Sequence, residues 1–88
     1  MSVTIKYDSE NHATVYVRES LSVGSIGELR RAMEKVRKEG RNASVNLSDL
    51  TLADRSSLQY LASLTKEGTE LRDCPPYIAT WLDKVAAK

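Results

Sequence analysis

Between Ala13 and Leu47 the hydrophobic period changes twice, and this change limits the possible folds more than any other feature of the chain. Ala13-Thr14-Val15-Tyr16-Val17 alternates, with Ala13, Val15 and Val17 on one face, the period of a half-buried strand. Ile26, Leu29, Met33 and Val36 then recur at helical spacing, with Ala32 widening the stripe, and describe an amphipathic helix. Ser25 followed by Glu28 matches a capping box at its start. Gly40 stands where the helix must stop, because glycine accepts the left-handed conformation that ends helices. Ala43-Ser44-Val45-Asn46-Leu47 returns to a strand. A strand, a helix and a strand in that order favour a right-handed crossover that leaves the two strands parallel in one sheet.

The flanking segments extend this unit. Val3, Ile5 and Tyr7 alternate with Thr4 and Lys6, and the turn formers Asp8-Ser9-Glu10-Asn11 join them to the next strand as a β-hairpin. His12 reads as an exposed residue of that turn. Residues 18–24 show no period and read as a loop, as do residues 50–53 after the Ser48-Asp49 turn. Asp54 suits the start of a second helix, where its carboxylate can accept N–H groups of the first turn. Leu58, Leu61, Ala62 and Thr65 share a face of that helix, and Gly68 ends it. Residues 69–72 form a fourth short strand. Pro75-Pro76 opens a last helix carrying Tyr77, Ile78, Trp81, Leu82 and Val85, since proline is tolerated in a first helical turn.

The expectation is a single α/β domain over residues 1–88, in the order β-β-α-β-α-β-α. A mixed four-stranded sheet has strands at residues 3–7, 13–18, 43–47 and 69–72, with helices packed on it. Val15, Val17, Leu29, Met33, Val45, Leu47, Leu58, Leu61, Ile78 and Leu82 are its expected core. Trp81 reads as core by its helical spacing, and Tyr60 and Tyr77 stay open between core and surface.

Composition narrows the function classes. The formal net charge is +1, and Arg30, Arg31, Lys35, Arg37, Lys38 and Arg41 are interleaved with Glu28, Glu34 and Glu39. This describes a solvated helix face with pairs such as Glu34–Lys38 rather than a phosphate-binding stripe, so no nucleic acid is expected. The one cysteine, Cys74, argues against a disulfide framework. No apolar run approaches the roughly 20 residues that span a bilayer. The expected setting is cytoplasmic, without membrane insertion. The single histidine has no Cys or His beside it in sequence, and no glycine-rich phosphate loop occurs, so neither metal nor cofactor is expected. No nucleophile–base pair is evident from the sequence, and an enzyme is the least favoured class.

The stretch Ala-Ser-Val-Asn-Leu-Ser-Asp-Leu-Thr-Leu-Ala-Asp-Arg-Ser-Ser-Leu-Gln-Tyr-Leu, from Ala43 to Leu61, resembles the motif region of STAS domains. Those domains have a hydrophobic strand ending in Asp or Asn-Leu, a short loop with spaced apolar residues, and Asp-Ser-Ser-Gly-Leu opening a helix. The likeness lies at Asn46-Leu47, Leu50, Leu52, Asp54, Ser56 and Leu58, and the element order agrees over most of the chain. Ser57 stands where the family usually has glycine, and Arg55 where it usually has a small residue.

The resemblance implies a regulatory protein-binding module like the anti-sigma-factor antagonists. In these a partner kinase, itself the anti-sigma factor, phosphorylates the serine at the helix start. By position that serine is Ser56, with Ser57 second. Asp54, Arg55, Ser56, Ser57 and Leu52 are then the expected partner-binding residues. The alternative is a subunit that needs no phosphoserine and binds a transporter ATPase or other assembly, a reading that the departures at Arg55 and Ser57 favour. Cys74 reads as a small hydrophobe at a strand end, with a reactive thiol before a helix as the competing reading.

Overall fold

The computed structural model describes residues 2–86. The elements are β1 (Ser2–Tyr7), β2 (His12–Leu21), α1 (Ile26–Lys38), β3 (Asn42–Asn46), β4 (Leu50–Ala53), α2 (Arg55–Lys66), β5 (Glu70–Arg72) and α3 (Pro76–Ala86). The chain is an α/β domain with a mixed sheet and three helices, as expected, but the sheet has five strands rather than four.

β1 and β2 form the antiparallel hairpin, with Val3 opposite Val17 and Ile5 opposite Val15. β3 returns parallel to β2, with Val15 beside Val45, and β5 lies parallel on the far side of β3, with Val45 beside Leu71. Because side chains alternate between faces, these rows place Val3, Ile5, Ala13, Val15, Val17, Val45 and Leu71 on one face. Thr4, Lys6, Thr14, Tyr16, Ser44 and Asn46 take the other.

Two segments expected as loops are paired strand. β2 runs on through Arg18 to Leu21, and the segment after the Ser48-Asp49 turn is β4, parallel to β2 with Ser20 beside Leu52 and Leu21 beside Ala53. The register shifts between Glu19 and Ser20, and Glu19 has a positive φ of 64°. The shift erases the period-two signal. In β4, Leu50 and Ala53 are buried while Thr51 and Leu52 are exposed, so apolar residues do not alternate there either.

The core contains Val15, Val17, Leu29, Met33, Val45, Leu47, Leu58, Leu61 and Ile78, joined by Leu21, Val36, Leu50 and Leu64. Leu82 packs against this cluster but is only partly buried. Trp81 is exposed and meets Tyr77 edge-on at 5.8 Å between ring centres, so the core reading for it is corrected. Helical spacing places Trp81 beside the buried stripe, yet among the described residues no further layer covers α3 there. Tyr60 is partly buried under the Arg30 guanidinium, 4.9 Å from the ring centre.

Both long helices end in Schellman motifs. Arg41 N–H donates to the Val36 carbonyl and Gly40 N–H to Arg37, with Gly40 at φ 75°. Thr69 and Gly68 repeat this on Leu64 and Thr65, with Gly68 at φ 95°. The capping box on α1 does not form: the Ser25 hydroxyl turns back and accepts the Ser22 N–H at 3.0 Å. The Glu34–Lys38 pair is also absent among the described residues. Arg37 reaches across to Glu67 instead, at 2.8 Å.

Candidate functional site

The candidate site is assembled where three segments end together: β2, β4 and the first turn of α2. The parallel β2–β4 pairing brings Leu21 beside Ala53, and Asp54 N–H donates to the Leu21 carbonyl at 3.1 Å. Asp54 has extended backbone angles and caps α2, as its position in the sequence implies. One carboxylate oxygen accepts the Ser57 N–H at 2.9 Å, and the other accepts the Val23 N–H at 2.8 Å. A single side chain thus fixes the helix start and the loop of residues 22–24. The Ser57 hydroxyl, the Ser57 N–H and the Val23 N–H, in that order, hold the Asp54 carboxyl below its ordinary value, because each favours the charged form.

The expected site residues divide at this turn. Arg55 and Ser56 are exposed. Leu52 is also exposed, at 58 %, on β4 beside them in sequence. Ser57, expected as the second phosphoacceptor and as a partner contact, is fully buried and not accessible in this fold. It sits three residues after the cap, on the side of α2 that carries Leu58 and Leu61 inward. Its Oγ is enclosed beside the Asp54 carboxylate without closing a hydrogen bond of good geometry. The methylene and hydroxyl that distinguish Ser57 from glycine therefore lie inside the domain and do not obstruct an approaching partner.

Val23, 70 % exposed, is the site residue that sequence reasoning misses. It comes close only because Asp54 captures its N–H. The signal available was indirect: an acidic cap has two oxygens, and one helix turn need not use both. Tyr77 supports the site from α3. Its hydroxyl donates to the carbonyls of Leu50, at 3.0 Å, and Thr51, at 2.6 Å, and so ties α3 to β4. Thr51 in turn donates through its hydroxyl to the Glu19 carbonyl at 2.7 Å.

Other chemistry is sparse near this turn. Among the described residues no group of three or more His, Cys, Asp or Glu gathers in a metal-binding arrangement, and no helix is long and apolar enough to cross a membrane. Cys74 is partly buried in a cleft of about 250 Å³ lined by Ala62, Thr65, Lys66, Ala79, Leu82 and Asp83. Burial and the Asp83 charge push its thiol upward, against a reactive thiolate. His12 is not the exposed turn residue expected. It opens β2, partly buried, with both ring nitrogens in hydrogen bonds. No family model matches the chain, and no curated protein matches it.

Proposed function

We propose that this chain is a small regulatory protein-binding module of STAS type, and that its docking face is the end of the sheet carrying Val23, Leu52, Arg55 and Ser56. One observation carries this reading. The Asp54 carboxylate ties the Val23 loop to the first turn of α2, and Val23, Leu52, Arg55 and Ser56, on the segments that meet there, are all exposed. An apolar centre with a polar, charged border is the composition of a protein interface.

Ser56 is the candidate phosphoacceptor. Phosphorylation adds about −1.5 to −2 charges and three acceptor oxygens. The helix dipole favours that charge while the Asp54 carboxylate opposes it, so the change acts mainly on a docked partner, which must desolvate the phosphate. An anti-sigma-type serine kinase is the partner this reading names.

A second reading is a constitutive subunit of an assembly such as a transporter ATPase, and Arg55 favours it. Arg55 stands at the positive end of the α2 dipole, where no acidic residue occupies the first turn. Among the described residues it has no ion-pair partner. Such a cation is placed to meet an acidic partner surface.

Pull-down from the native host, with intact-mass measurement of the bait, tests both readings. For a phosphoswitch, Ser56→Ala retains the partner and Ser56→Asp loses it. For a constitutive subunit, both serine variants retain the partner and Arg55→Glu loses it. If none of the three changes alters capture, this face is not the docking site.

A further inference from the structure

The sheet has open edges at β1 and β5, and the two strands are built differently. β5 is blunted against further pairing: it has three residues, its Glu70 and Arg72 are exposed, and Asp73 turns the chain away with a positive φ of 52°. β1 has six residues, runs against β2 without a bulge or a proline, and carries a single charge, Lys6. Among the described residues no strand pairs with its outer side.

The hairpin fixes which backbone groups face outward. Asp8 N–H donates to the His12 carbonyl at 3.0 Å. Bonded and non-bonded pairs alternate along an antiparallel ladder, so Lys6 with Thr14 and Thr4 with Tyr16 exchange bonds across the hairpin. The N–H and C=O groups of Val3, Ile5 and Tyr7 therefore point away from β2. Val3 and Ile5 are partly buried against the core, and Tyr7 stays 44 % exposed, with the Arg41 guanidinium over its ring at 4.7 Å from the centre. A row of free backbone groups thus runs beside apolar side chains that the chain itself leaves half covered.

We propose that the protein dimerises by antiparallel pairing of β1 with β1 of a second copy, which joins the two sheets about a two-fold axis at Ile5. Self-complementarity selects both the partner and the register. With Ile5 opposite Ile5 of the second copy, every outward residue is paired. Each Tyr7 then lies opposite a Val3, an aromatic and β-branched pair that stabilises a ladder, and each Lys6 lies opposite a Thr4. Moving the axis to Lys6 sets like charges directly opposite each other, which is destabilising. Moving it to Thr4 leaves Tyr7 facing residue 1, outside β1. The interface is small, of the class that associates weakly and reversibly.

Sedimentation of the full chain from about 10 μM to about 1 mM, with amide exchange followed by NMR at both ends of that range, tests the pairing. The expected result is a monomer–dimer equilibrium in which the Val3, Ile5 and Tyr7 amides slow as dimer forms. The Thr4 and Lys6 amides, already bonded to β2, change far less. Thr4 is exposed, so substitutions there test the register without disturbing the core. Thr4→Glu faces Lys6 of the second copy and tightens the dimer, whereas Thr4→Lys sets like charges there and weakens it. The two-fold axis repeats each pair, so the expected change is about two- to thirtyfold in either direction. Circular dichroism checks that both variants fold. A chain that stays monomeric at the highest concentration overturns the proposal. So does a dimer whose added protection falls outside Val3, Ile5 and Tyr7, and so do folded Thr4 variants that shift association in the same direction.

Discussion

The Val23 N–H donates to the Asp54 carboxylate at 2.8 Å, a bond between residues 31 apart in the sequence. The same carboxylate caps α2 through the Ser57 N–H. Replacing Asp54 by Ala leaves both N–H groups without this acceptor. The expected outcome is a folded domain of lower stability in which the Val23 and Ser57 amides exchange much faster with solvent, while amides in the centre of β2 keep their protection. Hydrogen exchange followed by NMR measures this directly. If the Val23 amide stays as protected as in the wild type, the carboxylate is not what holds the loop.

That bond also marks the boundary of what could be read in the sequence. Elements whose period is set by burial on one face were legible: Ala13 to Val17, the Ile26–Leu29–Met33–Val36 stripe, and Leu58 with Leu61. The Asp54 cap was legible because its donor is local. β4 was not, because Leu50 and Ala53 are buried while Thr51 and Leu52 between them are exposed, and because the partner strand breaks register at Glu19. The contacts of His12 and Val23 depend on which strands lie side by side and at what offset. Asp8, the partner of one His12 ring nitrogen, is four residues away, but nothing local in the sequence specifies Ser44, 32 residues on, as the partner of the other.

Tyr77 makes the support of the proposed docking face testable. Its hydroxyl is shared between the carbonyls of Leu50 and Thr51. Tyr77→Phe keeps the ring and its edge-on contact with Trp81 and removes only that donor. The expected cost is about 1 kcal/mol in urea unfolding, with faster exchange confined to β4. A loss spread evenly over the sheet contradicts a local tie.

Leu61 is fully buried at the centre of the α2 face, whereas Leu82 on α3 is only partly buried. Leu61→Ala is expected to cost about 2–5 kcal/mol, a large share of the total for a chain of this size. Leu82→Ala is expected to cost clearly less, because solvent already reaches that side chain and the surroundings can close over it. Chemical denaturation of the two variants checks the order. Equal losses contradict the burial difference.

Glu19 is a non-glycine residue in the left-handed region, at φ 64°, where β2 shifts register to meet β4. Its N–H donates to the Asp49 carbonyl at 3.0 Å and its carbonyl accepts the Thr51 hydroxyl, and these bonds hold the conformation. Glycine adopts this region without the steric cost that a Cβ brings. Glu19→Gly is therefore expected to stabilise the domain by up to about 1 kcal/mol, partly offset by the greater freedom of glycine in the unfolded chain. A rise in the thermal midpoint checks this, and a fall shows that the side chain makes a contribution larger than the strain it imposes.

Acid sensitivity follows from the two depressed carboxylates. Asp54 lies below the ordinary value of 3.8 because of the Ser57 hydroxyl and the Ser57 and Val23 N–H groups. Asp8 lies below the same value of 3.8 because of the Thr14 hydroxyl foremost, aided by His12 and opposed by partial burial. When the folded-state pKa is the lower one, the unfolded chain takes up the proton first as pH falls, and acid shifts the equilibrium toward unfolding. The stability these groups contribute is fully present above about pH 5, and it is lost as pH falls through 3.8 toward the folded-state values. Urea midpoints measured across this window are expected to fall with acid in the wild type. In the double variant Asp8→Asn, Asp54→Asn they are expected to fall less steeply, from a lower starting point at neutral pH. If the two acid limbs are parallel, other carboxylates govern acid unfolding, and the hydrogen bonds to Asp8 and Asp54 do not distinguish the charged form from the neutral one.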